Sequence, residues 1–114
     1  MIRVMLSDLS PVLGAAMRQV VEGSAELSLA GEARRADLDL DHTDALLLGT
    51  ETPFAGAGIV GLLDEHPRLK IVCITPDGRH AVLHERRLDS IEVTDVSFAT
   101  IFATLRTACA AEVL

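Results

Sequence analysis

Three positions in this chain stand where short apolar runs end, and their side chains offer very different chemistry. Asp8 closes Ile2-Arg3-Val4-Met5-Leu6-Ser7-Asp8, Gly49 closes Asp44-Ala45-Leu46-Leu47-Leu48-Gly49, and Thr75 closes the run 70–75. In open α/β sheets, ligands and chemistry gather outside the carboxyl ends of strands. A carboxylate at such an edge can ligate a cation or act as a nucleophile, whereas glycine can do neither. What glycine can do is remove a side chain and open a pocket. A small anionic ligand would then be lined by Asp8, Gly49, Thr50, Thr75 and the loop holding Gly56 and Gly58.

Other residue patterns suggest chemistry less strongly. Gly56-Ala57-Gly58-Ile59-Val60-Gly61 matches the G-x-G-x-x-G spacing of dinucleotide sites. That fingerprint should turn directly from strand into helix, yet a further stretch separates Gly49 from Gly56. A flexible loop leading into a helix is the expected reading; if an anion bound there, the backbone N–H groups of the helix start would be its donors. Asp37-Leu38-Asp39-Leu40-Asp41-His42 begins like a calcium loop but lacks the glycine and glutamate such a loop needs, so a solvated acidic edge is expected. His80 and His84 form the one i, i+4 histidine pair, without an evident third ligand. No metal or cofactor is expected. No serine lies in a nucleophile-elbow motif.

The elements that must position these residues alternate between strand and helix. Residues 2–7 are apolar and β-branched, hence a strand. Ser10-Pro11 offers an N-cap followed by proline at the first helical position, Leu13, Met17, Val20 and Val21 recur at helical spacing, and Gly23 supplies a stop. A second short strand covers 27–30 and ends at Gly31-Glu32-Ala33; the acidic stretch 34–44 reads as a loop or poor helix. Residues 45–48 are apolar throughout, as expected of a parallel strand buried on both faces. Ile59, Leu62 and Leu63 fit one helical face ending near His66-Pro67, and a fourth strand follows at 70–75. Pro76-Asp77-Gly78-Arg79 is a strong turn signal before Ala81-Val82-Leu83-His84-Glu85. This predicts a β-hairpin with the fifth strand antiparallel to the fourth, a helix over 79–88 being the alternative. A last helix begins near Asp95 or Ser97, with Phe98, Ile101, Phe102 and Leu105 on a broad apolar stripe.

In this order, the run 2–11, Leu29-Ala30-Gly31-Glu32-Ala33 and Asp44-Ala45-Leu46-Leu47-Leu48 resemble bacterial response-regulator receiver domains. The likeness covers roughly residues 2–75, with a weaker match through the last helix. It implies a flavodoxin-like, doubly wound α/β sheet of about five strands in the order 2-1-3-4-5. It also implies two adjacent acids holding Mg²⁺ after the first strand, a phosphoacceptor Asp ending the third, a Thr or Ser ending the fourth and a Lys ending the fifth. Asp8 matches the first acid, but Leu9 takes the place of the second. Gly49 falls at the phosphoacceptor, Thr75 matches the hydroxyl, and around Thr94 the expected lysine is missing, Lys70 being the single lysine of the chain. Phosphoryl transfer needs a nucleophile and a counter-charge, so the resemblance implies a degenerate pseudo-receiver whose vestigial site is Asp8, Gly49, Thr75 and Thr94.

Composition narrows the function further. The 114 residues fit one domain, 1–114, and 49% apolar content favours a folded globule. A net charge of −7 opposes nucleic-acid or anionic-membrane binding, and the basic pairs Arg34-Arg35 and Arg86-Arg87 are too small a footprint. Cys73 and Cys109 are far apart in apolar contexts, as expected of reduced thiols in a cytoplasmic protein. No stretch is apolar enough for a signal peptide or a membrane span. The expected function is a phosphorylation-independent protein-interaction module in bacterial signalling or transcriptional regulation, not an enzyme. Its partner would be a regulatory protein, or a second copy meeting the face of Phe98, Ile101, Phe102 and Leu105 or the exposed edge of the fifth strand. The alternative function is small-ligand or anion binding at the carboxyl edge of the sheet.

Overall fold

A computed structural model describes residues 1–52, 56–86, 90–93 and 96–111. Thr94 lies outside the described residues. The elements run β1 (Ile2–Ser7), α1 (Pro11–Glu22), β2 (Leu27–Ala33), a 3-10 turn (Arg35–Asp37), β3 (Ala45–Gly49), α2 (Ala57–Glu65), β4 (Lys70–Ile74), β5 (Ala81–His84), β6 (Ser90–Glu92) and α3 (Phe98–Ala111). The sheet order is β2-β1-β3-β4-β5-β6. The first four strands pair in parallel and β5 joins β4 antiparallel, as the turn signal predicted.

Strand periodicity divides the core in two. Val4 and Leu6 of β1, Leu47 of β3, and Val72 and Ile74 of β4 face Met17 and Val21 of α1 and Ile101, Phe102 and Leu105 of α3. The alternate residues Met5, Leu46, Leu48, Ile71 and Cys73 face Ile59 and Leu63 of α2. Burial on both faces explains why β3 and β4 read as unbroken apolar runs. The crossover from β2 to β3 has a loop where a helix commonly lies. Leu40, 4% exposed, and the partly buried Leu38 close the core beneath it.

Local chemistry sets the element ends. Ser10 caps α1 by accepting the Leu13 N–H at 3.3 Å, and Pro11 occupies the first turn. A bulge sits in β2, where the register against β1 shifts between Val4 paired with Leu29 and Met5 paired with Gly31. It carries the strand on to Ala33 and turns Glu32 toward α1, where its carboxylate accepts from Arg18 Nε at 2.8 Å and Nη2 at 2.9 Å.

Two expectations are corrected. The fifth strand is not an edge, because β6 pairs with it antiparallel from His84 against Ser90 to Val82 against Glu92. The stripe on α3 is not a free face either. Ile101, Phe102 and Leu105 are buried against the sheet, and of the four expected residues only Phe98 remains partly exposed. A helix packed on an all-aliphatic sheet uses its apolar stripe for the core before any partner.

Candidate functional site

The carboxyl edge of the sheet brings Asp8, Gly49 and Thr50 around one cavity of about 160 Å³, whose wall also includes Leu9, Leu13, Glu51, Ile74 and Pro76. The parallel pairing of β1 with β3, and β3 with β4, sets these strand ends side by side. The sequence therefore predicted the meeting of Asp8 and Gly49 correctly. It did not predict what occupies the space between them.

A Cβ built on Gly49 would run into the Asp8 carbonyl oxygen, with the Asp8 carbonyl carbon at 2.7 Å and Leu9 Cα at 3.1 Å. The obstructing atoms are backbone and cannot rotate aside. Glycine at position 49 is thus a packing requirement: the loop after β1 lies across the strand end, in the place a side chain would need. The expectation that this glycine opens a pocket is overturned at the Cβ position itself. Asp8 reaches this path through a left-handed backbone, φ 53°, a region that Asp tolerates better than most residues. Its side chain is exposed.

Thr75 is committed elsewhere. Its hydroxyl donates to Asp77 Oδ1 at 2.6 Å and accepts the His80 N–H at 3.2 Å, while its own N–H donates to the His80 carbonyl at 3.0 Å. Gly78, at φ 70°, completes this turn, and the Arg79 N–H also donates to Asp77 Oδ1 at 2.9 Å. The Thr75 hydroxyl, followed by the Arg79 N–H, holds the Asp77 carboxyl below its ordinary range. Thr75 builds the hairpin. The signal was available in the sequence, since Thr-Pro-Asp-Gly is turn chemistry before it is anything else.

The remaining candidates do not converge on the cavity. Lys70 opens β4, at the opposite end of that strand from Thr75; it is 1% exposed and pairs with Glu85 at 3.5 Å. Gly56 precedes α2 as its N-cap, and a Cβ on Gly58 would meet the Arg35 guanidinium. Neither glycine lines the Asp8–Gly49–Thr50 cavity. The Arg35 side chain is exposed and flexible and can move aside, so this contact alone does not require glycine at position 58. Among the acidic residues 37–41, Asp39 Oδ1 accepts the Asp41 N–H at 3.1 Å, an Asx turn on the surface. His84 is buried and His80 exposed, so the pair shares no common environment. Cys73 is buried beneath the edge, and desolvation pushes its thiol up to about 11 against the opposing pull of the Thr50 hydroxyl and Arg35. Neither cysteine forms a disulfide. No helix among the described residues is long and apolar enough to cross a membrane.

Sequence reasoning missed Glu51 and the wall made by Leu9, Leu13 and Pro76. With Asp8, they give the cavity acidic and apolar groups beside the Ser10 and Thr50 hydroxyls and, among the described residues, no cation. Such a lining disfavours an anion by Coulomb repulsion, although the Ser10 and Thr50 hydroxyls are potential donors there.

No protein-family model and no curated protein sequence matches the chain. Among solved structures, the response regulator ChrA of a heme-sensing two-component system aligns with a TM-score of 0.51 and 21% identity. The aligned region covers 65% of this chain and 38% of that one, so the chain spans well under two-thirds of ChrA. RcsB from Salmonella enterica serovar Typhimurium, bound to promoter rprA in the presence of phosphomimetic BeF3−, aligns over 94% of this chain and 80% of its own. Its TM-score is 0.46, at 16% identity. With the strand order, the split core and the antiparallel β5 already described, the likeness to ChrA establishes the fold: this chain is built as a receiver-like α/β sheet of the kind found in response regulators.

Proposed function

We propose that the chain is a pseudo-receiver: a phosphorylation-independent protein-interaction domain of bacterial signalling or transcriptional regulation, cytoplasmic and without catalytic activity of its own. One observation carries this reading. The space that a phosphoacceptor side chain would need at position 49 is occupied by the backbone of Asp8 and Leu9. Glycine supplies no nucleophile, the closed loop leaves no room for one, Thr75 is bound into a turn, and Lys70 sits at the wrong end of its strand. The fold shared with response regulators supports a place in signalling, and the net charge of −7 supports a protein partner over nucleic acid.

The test is incubation with a small-molecule phosphoryl donor and Mg²⁺, followed by intact mass measurement. An unchanged mass is expected. A stoichiometric gain of about 80 Da, the mass of one phosphoryl group, would overturn the reading.

A further inference from the structure

On the β2 flank of the carboxyl edge, charges of both signs meet in one place. A cavity of about 360 Å³ lies among the start of α1 and the carboxyl ends of β1 and β2. Part of its wall is the fork by which Glu32 accepts from Arg18 at 2.8 and 2.9 Å, so those two charges are spent on each other. The bulge in β2 turns Glu32 into this wall, and bulges commonly re-aim side chains beside functional sites. The same lining holds Asp8 and Arg34, which directly follow the register partners Ser7 and Ala33. Both are exposed, and neither side chain has an ion-pair or hydrogen-bond partner among the described residues. One carboxylate and one guanidinium thus share a cavity without pairing.

Gly14 gives an independent observation. It is buried in α1 and lines the cavity. A Cβ there would meet nothing closer than Leu9 Cβ at 3.9 Å and Glu32 Oε1 at 4.0 Å. Alanine would therefore fit, and it favours a helix interior over glycine. Packing does not explain this glycine, whereas the open space beside it does.

We infer that this cavity binds a free α-amino acid with an aliphatic side chain, its ammonium at Asp8 and its carboxylate at Arg34. Two unpaired charges of opposite sign select a ligand that carries one of each. The start of α1, which has no acidic residue in its first turn, favours the carboxylate further. Leu9, Pro11 and Ala33 supply the apolar part of the lining, and the Arg18–Glu32 fork leaves no spare charge for a charged side chain. The volume falls at the small end of ligand sites, which suits a single amino acid. The inference does not depend on the pseudo-receiver reading, which concerns position 49 on the other side of β1.

The test titrates L-leucine into the full chain. Leucinamide, which lacks the carboxylate, and N-acetylleucine, which lacks the ammonium, are the controls. A ligand of this size should bind with a Kd of about 0.1–1 mM. At about 10 mM, L-leucine should then raise Tm by about 6–11 °C. Each control should bind at least about tenfold more weakly, having lost one charge-assisted contact. Amide chemical shifts of the labelled protein should change most at Asp8, Gly14, Ala33 and Arg34. Asp8→Asn, which tolerates the left-handed backbone, and Arg34→Gln, at an exposed side chain, should each weaken binding at least about fivefold. Gly14→Ala should raise the Tm of the ligand-free chain by about 2–4 °C. It should nonetheless weaken L-leucine binding at least about fivefold by filling the cavity wall. Opposite movements of stability and binding separate a ligand site from a structural role.

A folded wild-type chain whose Tm and chemical shifts L-leucine leaves unmoved would overturn the inference. So would leucinamide or N-acetylleucine binding as tightly as L-leucine, since the ligand would then need only one charge. Shifts centred on α3 or β5, or folded Asp8→Asn and Arg34→Gln variants that bind like wild type, would place any binding elsewhere and overturn it equally.

Discussion

Replacing Gly49 by alanine adds one methyl group at the point where the edge of the sheet is most tightly closed. That carbon would overlap the Asp8 carbonyl oxygen and lie 2.7 Å from the Asp8 carbonyl carbon and 3.1 Å from Leu9 Cα. Gly49 is held in register opposite Ile74, so the loop after β1 must move. Overpacking of this kind costs about 1–3 kcal/mol. Moving Asp8 and Leu9 also disturbs the Ser10 cap on the Leu13 N–H, adding about 1 kcal/mol. The sum is about 2–4 kcal/mol, a large share of a typical folding free energy. For 114 residues, about 1 kcal/mol corresponds to about 4 °C in Tm, so Gly49→Ala should lower Tm by about 8–16 °C. Gly61→Ala is the internal control: the site is exposed in α2, nothing lies within 4 Å of the added carbon, and a gain of about 0.5–1 kcal/mol is expected. Urea and thermal unfolding of the two variants against wild type measure the contrast. Equal stabilities for Gly49→Ala and wild type, within about 0.5 kcal/mol, the scatter typical of surface substitutions, would mean that the loop after β1 yields to a side chain at position 49.

Other outcomes follow from the same geometry. Asp8→Gly should keep or raise stability by up to about 1 kcal/mol because position 8 is left-handed, whereas Asp8→Val should lose about 1–2 kcal/mol in chemical unfolding. Asp77 has a folded-state pKa below its ordinary value, so its contribution is present above an unfolded value of about 3.9 and is lost as pH falls through the lower folded one. The Tm gap between wild type and Asp77→Asn should therefore be open at neutral pH and close below about pH 4. Cys73, with its thiol near 11, is only about 0.1% thiolate at pH 8. In a Cys109→Ser background it should react with a disulfide reagent only at the rate of unfolding; fast stoichiometric reaction in the native state would contradict its burial.

The alternation of apolar runs and turn residues carried most of the fold. The all-apolar β3 and β4, the Ser10-Pro11 start of α1 and the Pro76-Asp77-Gly78 turn each have a local physical cause, so each was readable. β6 was not, because three residues at a sheet edge carry too little periodicity to stand out. The expectation for α3 failed in the usual direction, since a wide apolar stripe cannot say which of its members the sheet will claim. At the site, residue types were enough to show that position 49, at the end of β3, offers no side chain. They could not reveal that the Asp8 backbone crosses that position, a tertiary contact between two strand ends far apart in sequence. Thr75 illustrates the same limit: a hydroxyl at the end of β4 looks available until its partners in the turn are known.

The close approach of the loop after β1 to the end of β3 is read directly by an NMR measurement. In the labelled wild-type chain, the Gly49 Hα proton on the side where a Cβ would stand should give a strong nuclear Overhauser effect to Leu9 Hα, because that Cβ position lies 3.1 Å from Leu9 Cα. A strong cross-peak is the predicted result. Its absence, with Gly49 Hα seeing only its neighbors in β1 and β4, would place the loop away from the strand end and leave room for a side chain at position 49.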